Sequence, residues 1–320
     1  MKIGILGAAD IAFRRFLPAL QACPEIKYAG VASRTPAGAE RFIQAFGGEI
    51  YDSYDALLAD KSIDAVYVPL PPALHYQWGK KVLESGKHLL MEKPFTTALK
   101  ETEALLALAE KWGLAVHENY MFLYHSQMAK IKELIASEAL GELRLIRAAF
   151  GFPKRAAEDF RYQKALGGGA LLDCGGYPVR LALELLGETA QVTQAKLCQP
   201  PGYEVDLYGS AVLENETGLC AQISFGMDNS YKCELELWGS QGSLSTNRIF
   251  TAPFDMQPSL ILTWQRGEEL LLLPADNAFK NSLLALNYSV QRQANTQIAS
   301  KKIRKQSKLI ETIQREGAAK

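Results

Sequence analysis

The sequence predicts an α/β protein: an N-terminal doubly wound parallel sheet, followed by a C-terminal α+β domain with a mostly antiparallel sheet. In the first 120 residues, short apolar runs alternate with stretches of helical period, which indicates βαβ units. From Val192 to about Leu273, strand-like runs follow one another across turn signals, which indicates antiparallel strands. This change of pattern predicts two domains, residues 1–120 and 121–320.

The N-terminal elements follow in order along the chain. The predicted strands are residues 2–6, 27–32, 65–68, 88–91 and 114–117. The predicted helices are residues 11–22, 36–46, 54–59, 74–84 and 98–111. Because crossovers between parallel strands are right-handed, these units wind into one sheet with helices on both faces.

The second half has a different order. The predicted helices are residues 125–136, 178–186 and 301–316, and residues 143–150 form a predicted strand. Turn signals at 215–218, 239–242 and 266–267 divide the long series of strands that follows. The basic residues of the last helix are expected to form a solvated face.

Composition excludes several classes of protein. The chain has 320 residues, with 35 Lys plus Arg and 35 Asp plus Glu, so its net charge is zero. A neutral chain is not held to nucleic acid or to an acidic membrane by bulk electrostatics. Hydrophobic residues make up 48% and charged residues 22%, which is ordinary for a globular protein and argues against long disorder.

The cysteines and histidines predict neither a disulfide framework nor a metal site. The five cysteines are widely spaced without a CxxC motif, and the four histidines show no HxH or HExxH pattern. We expect reduced thiols and a cytoplasmic protein. The N-terminus lacks the pattern of a signal peptide, and no apolar run reaches the length of a membrane span.

A glycine loop directly follows the first predicted strand and opens the first helix. It is a variant of GxGxxG/A, in which Ala9 takes the second glycine position and Ala12 the third. The helix N-terminus offers backbone N–H groups to phosphates. A tight turn without a ligand is the alternative. We predict a dinucleotide site made by Gly7, Ala8, Ala9, Asp10, Ile11 and Ala12.

The end of the second strand indicates which dinucleotide binds. NAD enzymes usually carry an acidic residue there for the ribose 2′-hydroxyl, whereas this chain has Ser33 and Arg34. Ser33 can donate to a 2′-phosphate, and Arg34 can pair with it or stack on the adenine. We therefore expect NADP, with NAD as the alternative. The competing interpretation is that Arg34 only caps the strand on the surface.

Three further segments stand near predicted strand ends: PLPPALH at 69–75, EKP at 92–94 and GGGALLDCGGYP at 167–178. Together with the glycine loop, they resemble the glucose–fructose oxidoreductase, inositol dehydrogenase and rhizopine-catabolism (Gfo/Idh/MocA) family over essentially the whole chain. The resemblance implies a Rossmann domain joined to an open-faced sheet domain that often serves oligomerisation. It also implies hydride transfer between a nicotinamide and a carbon of a sugar, cyclitol or diol.

One segment resembles a particular branch of that family. The sequence ENYMFLYHSQ at 118–127 has Leu123 where many members carry Arg, and this version is similar to reductases of keto-sugars attached to nucleoside diphosphates. The spacing from Asp173 to Tyr177 resembles that branch and the dihydrodiol and xylose dehydrogenases. Inositol dehydrogenases have His where Tyr177 stands, so inositol is not the expected substrate.

Reduction of a ketone needs a proton donor within about 3 Å of the oxygen. The resemblance implies that Lys93 is this donor and that the Lys93–Pro94 bond is cis. Tyr177 is the second catalytic candidate, as donor or as hydrogen-bond partner of the carbonyl. Asp173 shares a helix face with Tyr177, and it is expected to bind a sugar hydroxyl, to ease proton transfer at Lys93, or to cap the helix. A surface Lys93 and a merely packed Tyr177 are the alternatives.

The remaining candidate residues are expected in the cofactor site and in the substrate pocket. For the cofactor site we expect Leu70, Pro71, His75, Glu92 and Lys93, with capping or surface roles as the alternatives for His75 and Glu92. For the substrate pocket we expect Tyr120, Arg161 and Tyr162, against ordinary core packing for Tyr120 and an exposed loop for the other two.

The sequence thus predicts an NAD(P)-dependent oxidoreductase that acts on a sugar-like carbonyl or hydroxyl. A small-molecule substrate is expected, as is a homodimer or larger homo-oligomer, because the open sheet face would expose apolar surface. Two other functions fit the same fold: an NADP-sensing regulator without catalysis, and a redox-assisted glycosidase with tightly bound NAD. The presence of Lys93 and Tyr177 argues against the regulator, and the Ser33–Arg34 pair argues against the glycosidase.

Overall fold

The computed structural model describes residues 1–292 and 296–318, which group by their contacts into two units. The first unit contains Met1–Asn119 and Phe279–Ser307, and the second contains Tyr120–Ala278 and the chain from Lys308 onward. The sequence-based division assigned residues 279–307 to the second domain. In the structure the described residues of this range, 279–292 and 296–307, pack with the first unit, for example through the hydrogen bond from Ser282 Oγ to Asn119 Oδ1, 3.1 Å.

The first unit is built on a parallel sheet. Its strands are β1 (Lys2–Leu6), β2 (Lys27–Ala32), β3 (Glu49–Tyr51), β4 (Ala65–Val68), β5 (His88–Met91) and β6 (Val116–Glu118). The six-stranded order within the described residues is β3-β2-β1-β4-β5-β6, with every pair parallel. Since the order reverses beside β1, the carboxyl ends of β1 and β4 form the crevice where such sheets bind ligands. The predicted doubly wound sheet is confirmed.

Helices connect these strands. The first begins with a π-helical turn, Ala12–Phe16, and continues as α1 (Leu17–Gln21). The others are α2 (Pro36–Phe46), α3 (Tyr54–Ala59), α4 (His75–Glu84) and α5 (Leu99–Trp112). Ser53 begins α3 because its side-chain oxygen accepts the N–H of Ala56, 3.0 Å, as an N-cap residue does. The apolar sides of α3, α4 and α5 pack with the strands in one core, which includes Leu6, Val68, Met91 and Leu105.

The second unit packs helices on one face of a larger sheet. Its elements are α6 (Ser126–Ala136), β7 (Leu143–Gly151), α7 (Gly176–Leu186), β8 (Gln191–Cys198), β9 (Tyr208–Glu214), β10 (Cys220–Gly226), β11 (Lys232–Gly239), β12 (Gly242–Asn247), β13 (Ser259–Trp264) and β14 (Gly267–Leu272). In the described part of the chain the eight-stranded order is β14-β13-β12-β11-β7-β10-β9-β8. All pairs are antiparallel except β7 with β10, so the mostly antiparallel sheet is confirmed.

The strands of this sheet alternate between a covered and an open face. In β11, Cys233, Leu235 and Leu237 are buried, whereas Glu234 and Trp238 are exposed. This period of two is the pattern of a sheet with one face on the core. The other face carries exposed apolar side chains, among them Trp238 and Leu270. The open-faced sheet that the resemblance implied is therefore confirmed.

Two helices end the chain: α8 (Ala278–Arg292) and α9 (Thr296–Ala318). The sequence predicted α9 only as residues 301–316, and it missed α8 and the short β3. The signal for α8 was present, because Phe279, Leu283 and Leu286 recur at helical spacing and are buried. Among the described residues, no helix is long and apolar enough to cross a membrane.

Candidate active site

The glycine loop lies at the end of β1, where the predicted dinucleotide site requires it. Gly7 has φ +107°, a conformation that only glycine adopts readily, and its N–H donates to Ala32 O at 2.9 Å. A Cβ at this position would lie 2.6 Å from Leu70 Cδ2. The loop is therefore fixed against the end of β2 on one side and the segment after β4 on the other.

The first helix opens directly after this loop. Ala9 O accepts the N–H groups of Ala12 (3.1 Å) and Phe13 (3.2 Å), so the chain turns into the helix at Ala9. The first N–H groups of a helix have no partner inside it and point toward the ligand side. Together with the conformation of Gly7, this geometry fits the pyrophosphate of a dinucleotide.

Arg41 of α2 braces the loop from outside, a role that the sequence analysis missed. Its Nη2 donates to Ala8 O at 3.2 Å and to Asp10 Oδ1 at 2.9 Å, and its guanidinium lies 4.9 Å from the centre of the Phe13 ring. Asp10, predicted as a cofactor residue, is thus engaged by Arg41. Ile11 is exposed at the start of the helix.

The end of β2 carries no carboxylate, as the sequence showed. Ser33 is half-buried, and its Oγ accepts the N–H of Thr35 at 3.4 Å. Arg34 is exposed, and its charge acts on Tyr54, where burial raises the pKa and the arginine opposes this rise. The Tyr54 hydroxyl would lie 3.7 Å from a Cβ at Gly7. These residues offer hydroxyl and guanidinium donors to a 2′-phosphate.

His75, the first residue of α4, joins two loops of the site. Its Nδ1 lies 2.7 Å from Pro94 O, and its Nε2 lies 2.7 Å from Leu70 O. The ring is fully buried. His75 therefore couples the Leu70–Pro71 segment to the EKP segment, whereas a direct contact with the cofactor stays a prediction.

The stability of the fold is expected to fall in acid because of His75. Burial lowers its pKa to about 4 from 6.5, against the opposing effect of the two carbonyl oxygens. Between pH 6.5 and pH 4 the unfolded chain binds a proton at this site and the folded chain does not. The free energy of unfolding therefore decreases as the pH falls through this window, by up to about 3 kcal/mol.

Denaturant titrations across this pH window measure the effect, with His75→Asn as the matched variant. Asparagine can still donate to one carbonyl but does not titrate, so we expect a smaller acid loss than in the wild type. Equal losses in both proteins would show that His75 does not contribute.

The EKP segment follows β5 and is held on three sides. Glu92 Oε1 accepts Tyr67 Oη and Asn119 Nδ2, both at 2.6 Å, and Glu92 Oε2 accepts the Lys93 N–H at 3.3 Å. Glu118 Oε1 accepts the Phe95 N–H at 2.8 Å, and His75 binds Pro94 O. The Lys93–Pro94 bond is cis, as the resemblance implied. This network fixes the backbone that directs the half-buried Lys93.

Tyr177 belongs to a cluster of aromatic rings in the second unit. Its ring centre lies 5.2 Å from Tyr120, 5.0 Å from Phe150 and 5.7 Å from Phe250. Tyr120 is fully buried, and its hydroxyl lies so close to Gly176 that a side chain there would displace it. Tyr120, predicted to line the substrate pocket, therefore positions the turn that carries Tyr177.

Asp173 and Arg161, predicted separately, form an ion pair. Arg161 Nε donates to Asp173 Oδ2 at 2.7 Å, and its Nη1 donates to Asp159 Oδ1 at 3.1 Å. Asp173 lies in a π-helical turn, Leu171–Gly175, so the α-helical spacing that placed it beside Tyr177 does not apply there. Tyr162 is buried, and its hydroxyl accepts the Arg155 N–H at 2.9 Å.

Asp206 is a further residue that the sequence analysis missed. Its Oδ2 accepts the Leu171 N–H at 2.8 Å, and its backbone oxygen accepts the Ala170 N–H at 2.8 Å. Asp206 therefore caps the helix that carries Asp173 and Tyr177. Burial raises the pKa of its carboxyl, whereas the backbone N–H groups lower it. Like Arg41, Asp206 bonds to residues that are distant in the sequence, so no local sequence pattern indicates its role.

Comparison with known proteins places the chain in a family. Residues 1–120 match the model of the oxidoreductase family with an NAD-binding Rossmann fold, and residues 128–245 match the GFO/IDH/MocA C-terminal domain. The chain is also 40% identical over 313 residues to the dTDP-3,4-didehydro-2,6-dideoxy-alpha-D-glucose 3-reductase of Actinomadura kijaniata, across 98% of this chain and 94% of the relative. The chain belongs to the Gfo/Idh/MocA family. This Gfo/Idh/MocA protein is an NAD(P)-dependent oxidoreductase, as the sequence predicted.

Two more similarities refine the comparison. The chain is 36% identical over 252 residues to the NADP(+)-dependent D-xylose 1-dehydrogenase 2 of Haloferax volcanii, across 78% of this chain and 77% of the relative. The solved structure of a 3-ketoreductase from Actinomadura kijaniata with NADP and TDP-benzene superimposes with a TM-score of 0.96 at 39% identity, covering 99% of this chain and 97% of that one. Structures of that enzyme have also been solved for one variant in which a tyrosine is replaced and for another in which a lysine is replaced.

Proposed function

We propose that the protein is an NADP-dependent reductase of a keto-sugar that is linked to a nucleoside diphosphate. The observation that carries the proposal is the whole-length similarity to curated dTDP-sugar 3-reductases, 40% identical in Actinomadura kijaniata and 42% in Streptomyces violaceoruber. No observation favours the regulator, because both proposed catalytic side chains are present, or the glycosidase, because Ser33 and Arg34 stand where an NAD enzyme usually has an acidic residue.

The proposed chemistry divides between cofactor and side chains. Bound NADPH supplies the hydride to the carbonyl carbon. Lys93 donates the proton to the carbonyl oxygen and stabilises its developing charge, and Tyr177 hydrogen-bonds the same oxygen. The replaced lysine and tyrosine of the Actinomadura kijaniata enzyme are separated in its chain by the same number of residues as Lys93 and Tyr177, which supports both roles.

The preference for NADP rests on the end of β2. A carboxylate at this position would repel a 2′-phosphate, whereas Ser33 and Arg34 supply donors to it. The solved 3-ketoreductase binds NADP, which supports the same choice. The loop residues from Gly7 to Ala12, together with Leu70, Pro71, His75 and Glu92, then form the rest of the cofactor site.

The remaining assignments of the second unit belong to the substrate. Asp173, already paired with Arg161, orients a sugar hydroxyl, while Tyr120 and Tyr162 shape the pocket through packing. We also infer a homo-oligomer, since the open sheet face exposes Tyr208, Trp238 and Leu270. A hydrodynamic mass of one chain at micromolar concentration would contradict it. The five cysteines are free in the structure, which supports a cytoplasmic location.

The direct test follows NADPH oxidation by absorbance. We expect turnover with a TDP-linked 3-keto-6-deoxy sugar, and at least about tenfold lower kcat/KM with the same sugar lacking the nucleotide or with NADH in place of NADPH. Turnover of free sugars, cyclitols or diols alone would overturn the proposal. Cleavage of a glycoside without net change of the cofactor would indicate the glycosidase instead.

A further inference from the structure

The turn after β12 holds an arginine in a strained conformation. Arg248 has φ +60°, in the left-handed region that is unfavourable for a residue with a side chain. Backbone and side-chain contacts hold the turn in place: the Ile249 N–H donates to Cys233 O at 3.2 Å, and the Phe250 N–H donates to Cys233 Sγ at 3.3 Å. Strain of this kind persists where surrounding contacts enforce it, and it concentrates at functional sites.

The same turn is anchored to the Tyr177 cluster. Phe250 is buried, and its ring centre lies 5.7 Å from Tyr177 and 5.2 Å from Phe122. Gln127 Nε2 donates to Ile249 O at 3.2 Å. Gln127 is the last residue of the segment 118–127, ENYMFLYHSQ, and the proposed catalytic roles do not use it. This hydrogen bond from the Gln127 side-chain amide therefore helps to hold the turn that carries Arg248.

Arg248 presents its guanidinium on an exposed aromatic ring. The Cζ atom lies 4.4 Å from the centre of the Tyr231 ring, and Nη1 donates to Tyr231 Oη at 2.8 Å. Tyr231 is 42% exposed, and its hydroxyl also contacts Thr251 Oγ1 at 2.9 Å. A guanidinium fixed on a ring keeps its planar set of N–H donors in one orientation, which suits paired phosphate oxygens.

We propose that Arg248, held on Tyr231, is the subsite for the diphosphate of the nucleotide-linked substrate. This inference rests on the proposed function, in which the sugar lies against Tyr177. In a nucleotide-linked 3-keto-sugar, a single sugar ring separates the reacting carbonyl from the diphosphate. Phe250, which lies beside Tyr177, and Arg248 are two residues apart in the sequence. Their Cα atoms are therefore at most about 7 Å apart. The subsite makes the enzyme specific for sugars that carry a diphosphate.

The test measures TDP binding to the NADP-loaded protein by calorimetry. We expect Arg248→Ala to weaken TDP affinity about tenfold or more, because it removes charge-assisted hydrogen bonds, and Arg248→Lys to weaken it less. With the TDP-linked keto-sugar, KM should rise while kcat changes little. The control is Lys111→Ala, which removes another exposed cation on a ring, 5.6 Å from Trp112 in the first unit. It should leave both values unchanged.

The outcomes separate the subsite from the proposed function. If the wild type binds TDP and reduces the TDP-linked sugar, and Arg248→Ala does both equally well, the subsite is wrong and the function stands. If the wild type neither binds TDP nor acts on the TDP-linked sugar, the proposed function falls and the subsite with it. Thermal unfolding and NADP affinity, measured on each variant, exclude a general loss of structure as the cause.

Discussion

Replacement of Lys93 by alanine is expected to lower kcat/KM for the keto-sugar by about 10²–10⁴-fold, the usual contribution of a positioned general acid. The backbone of the EKP segment is fixed by Tyr67, Asn119, Glu118 and His75, so removal of the lysine side chain leaves the loop in place. Affinity for NADPH should therefore change little. Initial rates of NADPH oxidation and fluorescence titration with NADPH measure the two effects.

Lys100→Ala is the matched control, since Lys100 is an exposed lysine at the start of α5. It should retain wild-type kcat/KM. A Lys93→Ala enzyme within about twofold of the wild type would remove Lys93 from the mechanism. A variant that lost NADPH affinity and catalysis together would instead assign Lys93 to cofactor binding.

Replacement of Gly7 by alanine is expected to damage both the fold and the cofactor site. The residue would be strained at φ +107°, at a cost of about 1–3 kcal/mol in the free energy of unfolding. The new methyl group would also meet Leu70 Cδ2, so the two loops of the cofactor site must separate. We expect NADPH affinity to fall by about tenfold or more. Denaturant titration and NADPH titration measure the two losses.

The Gly86→Ala variant separates the effect of backbone strain from the effect of the contact with Leu70. Gly86 also has a positive φ, +76°, but a Cβ there meets nothing within 4 Å. This variant should therefore lose stability and keep NADPH affinity. If Gly7→Ala bound NADPH as tightly as Gly86→Ala, the glycine loop would not be the dinucleotide site.

The fold could be predicted largely because its signals are local. Strands such as β4 and β5 are continuous apolar runs between helices of clear period, and parallel sheets bury such runs on both faces. The strand β3 was missed because it has three residues at the sheet edge, too few for a periodic signal. The packing of residues 279–292 and 296–307 with the first unit could not be predicted, since contacts such as Ser282 with Asn119 join distant parts of the chain.

In the candidate site, too, residues with a local sequence signal could be predicted, whereas residues that act through tertiary contacts could not. Strand-end reasoning selected Gly7, Ser33 and Lys93 as candidates, because parallel strands end at a common edge, and their roles stay predictions. It could also have identified Asn119, which directly follows β6 and holds Glu92. Arg41 and Asp206 act through contacts that only the folded chain creates. The pairing of Arg161 with Asp173 is likewise a tertiary contact, and it changes the expected role of both residues.

A crystal structure of the protein with NADP and a TDP-linked 3-keto-sugar analogue tests the central claim most directly. The account predicts Lys93 Nζ within about 3 Å of the oxygen on the reacting carbon, with Tyr177 Oη on the same oxygen. A sugar oxygen bound by other donors, with Lys93 directed away from it, would contradict the proposed reduction at this site.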